Sequence, residues 1–261
     1  MDLQLRNKVA LVTAASRGLG FACARKLAIE GARVAICSRN QENLERAAHS
    51  ISTETGREIF SISSDLTIPS DVENIVRKIE TSLGDIEILV MSTPHPPTKP
   101  FSQASQEDFD DGYTILLKPA IQLTNLLIPA MKMRQSGRLI YIGSIFGLEP
   151  ETLSAIQSAF RTALNALVKC ISNEVAPFGI CANVICPGYF DTPLVRELAK
   201  SITNTPGLSQ DPITDWKNAS PSKTLGDPDD LGALAAFLAS PYAKFINGTT
   251  ITIDGGLLRH Y

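Results

Sequence analysis

The residues with the clearest chemical potential come early, in the run Thr13-Ala14-Ala15-Ser16-Arg17-Gly18-Leu19-Gly20. They lie between an apolar β-type run, Val9–Thr13, and a helical pattern opening at Gly18. Gly18 and Gly20 let the backbone approach a phosphate closely, because no Cβ stands in the way. The helix that follows offers that phosphate free N–H groups and a partial positive charge. A glycine-rich turn by itself says little. Between the first strand and first helix of an α/β chain it points to a dinucleotide. Thr13, Ser16, Arg17, Gly18, Leu19 and Gly20 are its candidate contacts.

The end of the second strand bears on which dinucleotide. An NAD site usually has an acid there to bond the ribose 2′-hydroxyl. Here the strand ends Cys37-Ser38-Arg39-Asn40, with no carboxylate. Arg39 can take a 2′-phosphate and Arg17 can add a second guanidinium, so NADP(H) is favoured over NAD(H).

The elements that must position these groups follow from the hydrophobic pattern. Further β-rich runs fall at 33–37, 59–63, 86–91, 138–143, 182–186 and 250–253. Helical patterns connect them: 40–53, 69–83, a long one over 105–135, 152–177 and 229–239. Apolar strands alternating with helices predict an α/β Rossmann-type fold: a doubly wound parallel sheet of seven strands in a three-layer α/β/α sandwich. No linker or repeat divides residues 1–261, which read as a single domain. The stretch 194–224 breaks the rhythm with Pro206, Gly207, Pro212 and Pro221. It follows strand 6 at the carboxyl edge of the sheet, where open α/β folds bind ligands, and reads as a partly helical insertion or lid.

Composition narrows the partners. With 44% hydrophobic residues and a net charge of −3, the chain can bury a core and lacks the clustered cations that nucleic acid needs. No signal-peptide pattern and no uninterrupted membrane-length apolar run is visible. Five cysteines without C-x-x-C spacing read as reduced thiols, which suits a cytoplasmic setting. Three scattered histidines form no metal-binding pattern, so no metal is expected.

These motifs resemble the short-chain dehydrogenase/reductase family over nearly the whole chain, and within it the 3-oxoacyl-(acyl-carrier-protein) reductase-like members. The turn resembles T-G-x-x-x-G-x-G, with Ala14 for the first glycine. The resemblance implies that Asp65 and Leu66 meet the adenine and that Ser144 is catalytic. It implies cofactor roles for Pro187 and Gly188, in Asn183-Val-Ile-Cys-Pro-Gly188, and for Thr192 at the nicotinamide carboxamide. The ending Phe245-Ile246-Asn247-Gly248 … Asp254-Gly255-Gly256 is also similar. It further implies a homodimer or homotetramer acting on a small molecule.

The catalytic positions depart from this pattern. The family's Tyr maps to Gln157, its Lys to Arg161 and its Asn to Leu116, and Glu174 supports that register. A Gln amide cannot serve as a general acid but can donate a hydrogen bond to an oxyanion. Arg161 keeps a positive charge in a different geometry and can still reach the nicotinamide ribose. Pro119 should kink the fourth helix and free the carbonyl of Ile115 or Leu116. His95 and Tyr189, at the carboxyl edge, are candidates to replace the proton donor, against the plainer reading of loop residues without a chemical role.

Two functions follow. One is an NADP(H)-dependent oxidoreductase that interconverts a carbonyl, such as a 3-oxoacyl thioester, and its alcohol with a non-standard proton donor. The other is a dinucleotide-binding protein with little or no catalysis, a sensor or partner subunit. Halohydrin dehalogenases resemble the family and carry Arg for Lys, but keep the Tyr and lose the turn. This chain does the reverse.

Overall fold

The structure, a computed structural model, describes residues 1–204 and 208–259. Its strands are β1 (Val9–Thr13), β2 (Arg33–Ser38), β3 (Phe60–Ser63), β4 (Ile88–Met91), β5 (Gly137–Ile142), β6 (Ile180–Pro187) and β7 (Thr250–Ile253). They form one sheet in the order β3-β2-β1-β4-β5-β6-β7, with every pair parallel. This is the expected seven-stranded, doubly wound α/β sheet. Helices α1 (Gly18–Ile29), α2 (Gln41–Thr55) and α9 (Pro228–Ala239) cover one face, and α3 (Pro69–Leu83), α5 (Lys118–Arg134) and α6 (Ala155–Val175) the other.

The strands read as unbroken apolar runs because both their faces are buried. In β1, Ala10 and Val12 pack with Leu27 and Leu231, while Val9 and Leu11 pack on the opposite side with Ile75 and Leu123. The chain order reverses at β1 and β4, so a crevice must open beyond their carboxyl ends.

Local signals set the helix limits. The Asn40 side chain accepts the Asn43 N–H and starts α2, and α3 begins at Pro69 and stops at Gly84. The long helix expected over 105–135 is in fact two, α4 (Gln106–Leu116) and α5, broken at Leu117. Pro119 causes the break: it has no N–H to return to the carbonyl of Ile115, and its ring crowds that turn. Among the described residues, Gln106–Arg134 is the only helical stretch long and apolar enough to cross a membrane by length and composition. The uninterrupted sequence pattern gave no such candidate. The stretch carries this break, and Ala120, Leu123, Leu127 and Met131 pack into the core beside the sheet.

The segment expected as an insertion folds as α7 (Pro193–Thr203) and α8 (Pro212–Ala219). Pro206 and Gly207 lie outside the described residues. All five cysteines are free, and four are buried; burial pushes the thiols of Cys23 and Cys37 up to about 12, so they stay protonated.

Candidate active site

A cleft of about 970 Å³ opens at the carboxyl ends of the central strands. It runs from Arg39, after β2, past the glycine turn to Tyr189, after β6. It brings together Ser16, Arg17, Gly18, Leu19, Gly20, Arg39, Asp65, Leu66, Pro187, Gly188 and Thr192 with Ser144, Gln157 and Arg161.

The turn's shape explains its glycines. Gly18 has φ +61°, and a Cβ on Gly20 would stand 2.6 Å from the Ala14 carbonyl oxygen and 2.9 Å from that of Thr13. Ala14, where the family pattern has glycine, also takes a left-handed φ of 47°. That conformation costs an alanine roughly 1–2 kcal/mol. The neighbouring Ala15 N–H bonds the Cys37 carbonyl and fixes the turn to β2.

Two expected cofactor contacts are placed differently. Thr13 is fully buried and does not line the cleft. Its hydroxyl donates to the Ser92 carbonyl and accepts the Ser92 N–H, so it clamps the end of β1 to the segment after β4. Arg17 lines the cleft, but its guanidinium grips Glu197 of α7 at 2.5 Å. Arg39 is exposed, and its side chain bonds no described residue. Its guanidinium is therefore uncommitted at the β2 end of the cleft. Asp65 accepts the N–H and hydroxyl of Thr67 and shapes its own turn, and Thr192 caps α7 through the Val195 N–H.

At the other end, Ser144 leaves β5 and its Oγ accepts the Phe146 N–H, so its own proton is free to donate. Gln157 is only 5% exposed, faces the cleft, and its amide bonds no described residue. Arg161 is 6% exposed. It donates to the Ile142 carbonyl at 2.7 Å and to Thr93 Oγ1 at 2.9 Å. No described carboxylate lies within ion-pair distance of it, and its Nε has no partner. Burial lowers its pKa to about 10, which leaves it a cation at neutral pH. A Cβ on Gly147 would stand 2.8 Å from the Arg161 backbone, so this glycine lets the loop after β5 lie against α6.

His95 and Tyr189 both line the cleft. Burial first, and then the Arg161 charge, lower the His95 pKa, while a hydrogen bond to Pro96 opposes them. Burial pushes Tyr189 up to about 12, with Glu151 adding to the effect. Leu116, at the family's Asn position, is buried beside the helix break and does not reach the cleft. Ile115 and Pro119 do line it, which places the broken turn at the reacting end.

Sequence reasoning missed Thr93, Glu197, Phe146 and Trp216. Thr93 holds Arg161, Glu197 holds Arg17, and Trp216 of α8 stacks on Tyr189 with centroids 4.7 Å apart and planes at 10°. Only Thr93 carried a signal, since it follows β4 at the carboxyl edge of the sheet, where open α/β folds bind ligands.

A parallel seven-stranded sheet with a glycine turn at its switch point, facing polar groups after β5 and on α6, defines a Rossmann-type α/β protein. A family model described as Enoyl-(Acyl carrier protein) reductase matches residues 13–258. The chain is 32% identical to the uncharacterized oxidoreductase YxjF of Bacillus subtilis, covering 97% of this chain and 98% of that one. It is 31% identical to the 3-oxoacyl-[acyl-carrier-protein] reductase FabG of Escherichia coli, covering 98% and 99%. Among solved structures, L-sorbose reductase from Gluconobacter frateurii, complexed with NADPH and L-sorbose, superimposes with a TM-score of 0.94 at 28% identity over the full length of both chains. The chain belongs to the short-chain dehydrogenase/reductase family, a family of oxidoreductases.

Proposed function

We propose that the protein is an NADP(H)-dependent oxidoreductase that interconverts a carbonyl and its alcohol, with the reacting oxygen held by Ser144, Gln157 and Arg161. One observation carries this reading: a single continuous cleft joins the glycine turn to those three side chains. The cleft fits a dinucleotide on its own terms. Gly20 has no room for a Cβ, so backbone N–H groups can come close to a pyrophosphate. Arg39 is free for the 2′-phosphate, and no acid stands there to prefer a 2′-hydroxyl. A bound reduced nicotinamide would supply hydride. The chain's own part is to orient the carbonyl by hydrogen bonds and to offset charge growing on its oxygen.

The NADPH complexes among the similar structures, L-sorbose reductase and an actinorhodin polyketide ketoreductase, support the choice of cofactor. The likeness to FabG makes a 3-oxoacyl thioester a rational first substrate. A second reading, dinucleotide binding without turnover, draws on the loss of the family's proton-donating Tyr at Gln157.

Fluorescence titration with NADPH and NADH tests the binding, and NADPH oxidation with 3-oxoacyl thioesters, diketones and quinones tests the chemistry. We expect NADPH to bind more tightly than NADH and to be consumed with at least one carbonyl class. Absence of binding overturns both readings, and binding with no oxidation across the panel leaves the second.

A further inference from the structure

We propose that the carbonyl taken by this cleft is planar and conjugated, a quinone or cyclic enone, and that Ser144, Gln157 and Arg161 hold its negative oxygen without protonating it. The inference rests on the dinucleotide reading above and goes beyond its carbonyl–alcohol chemistry: on such a substrate the hydride goes to the conjugated C=C bond, and the held carbonyl is kept or becomes a phenol.

The donor set is the first argument. Gln157 is more than nine-tenths buried, faces the cleft and has no hydrogen-bond partner among the described residues. Its amide atoms are not sealed off from the cleft, so they stand open to bond a ligand there. Ser144 has an O–H to give, because its Oγ already accepts from Phe146. Arg161 brings a positive charge that only neutral oxygens touch. Hydroxyl, amide and guanidinium together can stabilise an anion, and none of the three is an acid at neutral pH.

The surrounding titratable groups are the second argument. His95 Nδ1 lies 2.6 Å from the Pro96 carbonyl, an oxygen that can only accept. The neutral ring therefore carries its proton on Nδ1, and Nε2 has none to give. Burial and the Arg161 charge favour that neutral ring. Tyr189 is held protonated by burial and by Glu151, and so is a weaker acid than a free phenol. Among the described residues of the cleft, neither His95 nor Tyr189 is poised to give a proton.

The missing acid selects the substrate. Hydride addition to a simple ketone leaves an alkoxide, whose conjugate acid is about as weak as water. Addition to a conjugated ring leaves an enolate, or from a quinone ultimately a phenolate, whose charge is shared with ring carbon and which is a weaker base at oxygen than an alkoxide. The second product is therefore easier to leave unprotonated on its oxygen. In the step itself, the carbon β to the held carbonyl accepts hydride from a reduced nicotinamide and gains a C–H bond. The C=C electron pair moves to the bond between the α-carbon and the carbonyl carbon, and the C=O pair comes to rest on the held oxygen. The α-carbon then takes a proton from water, which restores the carbonyl or, in a quinone, leads by tautomerisation to the hydroquinone.

The cleft wall gives an independent reason for flatness. Phe146 and Tyr189 both line it, with ring centroids 6.4 Å apart, and Trp216 backs the Tyr189 ring in a parallel stack. Phe146 and Tyr189 meet at 74° and Trp216 takes one Tyr189 face, so these rings make a rigid apolar wall against which a planar guest can lie.

The test is the ionisation of bound 4-nitrophenol, read by its phenolate absorbance, in the protein with and without NADP+. The bound phenol should ionise about one pH unit or more below the free compound, a tenfold or larger gain in its ionisation constant. Gln157→Met should cancel most of that shift. It leaves no described group without a partner, so it reports even if Arg161→Met does not fold. Gln157→Glu should push the phenol's pKa above the free value. With NADPH, 2-cyclohexenone or 1,4-naphthoquinone should turn over at least about 100-fold faster than cyclohexanone. A bound phenol that ionises like the free one, no phenol binding, a shift untouched by Gln157→Met, or equal rates with cyclohexanone would each overturn the proposal. NADPH fluorescence on the same sample reads the dinucleotide assignment separately.

Discussion

The two ends of the cleft are made of different material. At the β1–β3 end the site is mostly backbone: a turn with glycine at 18 and 20, the start of α1, and loop atoms after β2 and β3. At the β4–β6 end it is mostly side chain: Ser144, Gln157 and Arg161. A backbone site depends on shape, so it tolerates Ala14 in a left-handed conformation as long as Gly20 keeps its space. A side-chain site changes its chemistry with each substitution while the fold stays the same. Gln157 and Arg161 sit on α6, whose packing through Leu164 and Val168 does not depend on either polar group. The side chains of the reacting end can therefore vary while the glycine turn keeps its form.

The largest expected effect comes from grafting the family pair back. Gln157→Tyr with Arg161→Lys should give a proton donor beside Ser144. General acid catalysis is worth on the order of 10²–10⁴-fold, so reduction of a simple ketone should rise by that order. Its pH profile should gain a limb that falls as the Tyr ionises. Steady-state rates with cyclohexanone from pH 6 to 10 measure both. An unchanged rate in a folded, NADPH-binding double variant would show that the two ends also differ in backbone placement.

A smaller effect is expected at the other end. Arg39→Asp removes the free cation and installs the acid typical of NAD sites. A hydrogen bond to a charged partner is worth about 1.5–3 kcal/mol, so NADPH should bind roughly 10- to 100-fold more weakly while NADH holds or gains. Titration of both cofactors against nicotinamide fluorescence decides it. Equal loss of both would mean that Arg39 shapes the loop after β2 instead of reading the phosphate.

Much of this was legible in the sequence because it is local. The limits of β1, α3 and β7 fall where the apolar runs and the Pro and Gly signals put them. The glycine turn was legible for the same reason. Pro119 was recognised as a kink, but whether the helix would bend or break depended on its surroundings, and it breaks at Leu117. Thr13 opens the motif and so reads as a cofactor contact. Its hydroxyl is instead committed to Ser92, 79 residues away. Pairings of that kind leave no periodic trace. The stack of Trp216 on Tyr189 and the grip of Glu197 on Arg17 are of the same sort: each joins the α7–α8 segment to the cleft across a long stretch of chain.

That grip is where the two ends meet, and it carries the smallest expected effect. Arg17 and Glu197 are 54% and 56% exposed, so their ion pair should stabilise the fold by only about 0–1 kcal/mol. The Arg17 hydrogen bond holds the Glu197 carboxyl below its ordinary pKa. A lowered carboxylate pKa adds stability above the unfolded value, and this is lost as pH falls through the folded one. Glu197→Ala should therefore cost little at pH 7 and progressively less as pH falls below the ordinary carboxylate range, read as a difference in Tm that closes on acidification. The same change frees Arg17 to join Arg39 at the 2′-phosphate, so NADPH affinity at pH 7 should rise a few-fold, by about 1 kcal/mol or less. A fall in affinity would mean that α7 is held against the turn to cover the dinucleotide, and that Glu197 belongs to the binding end.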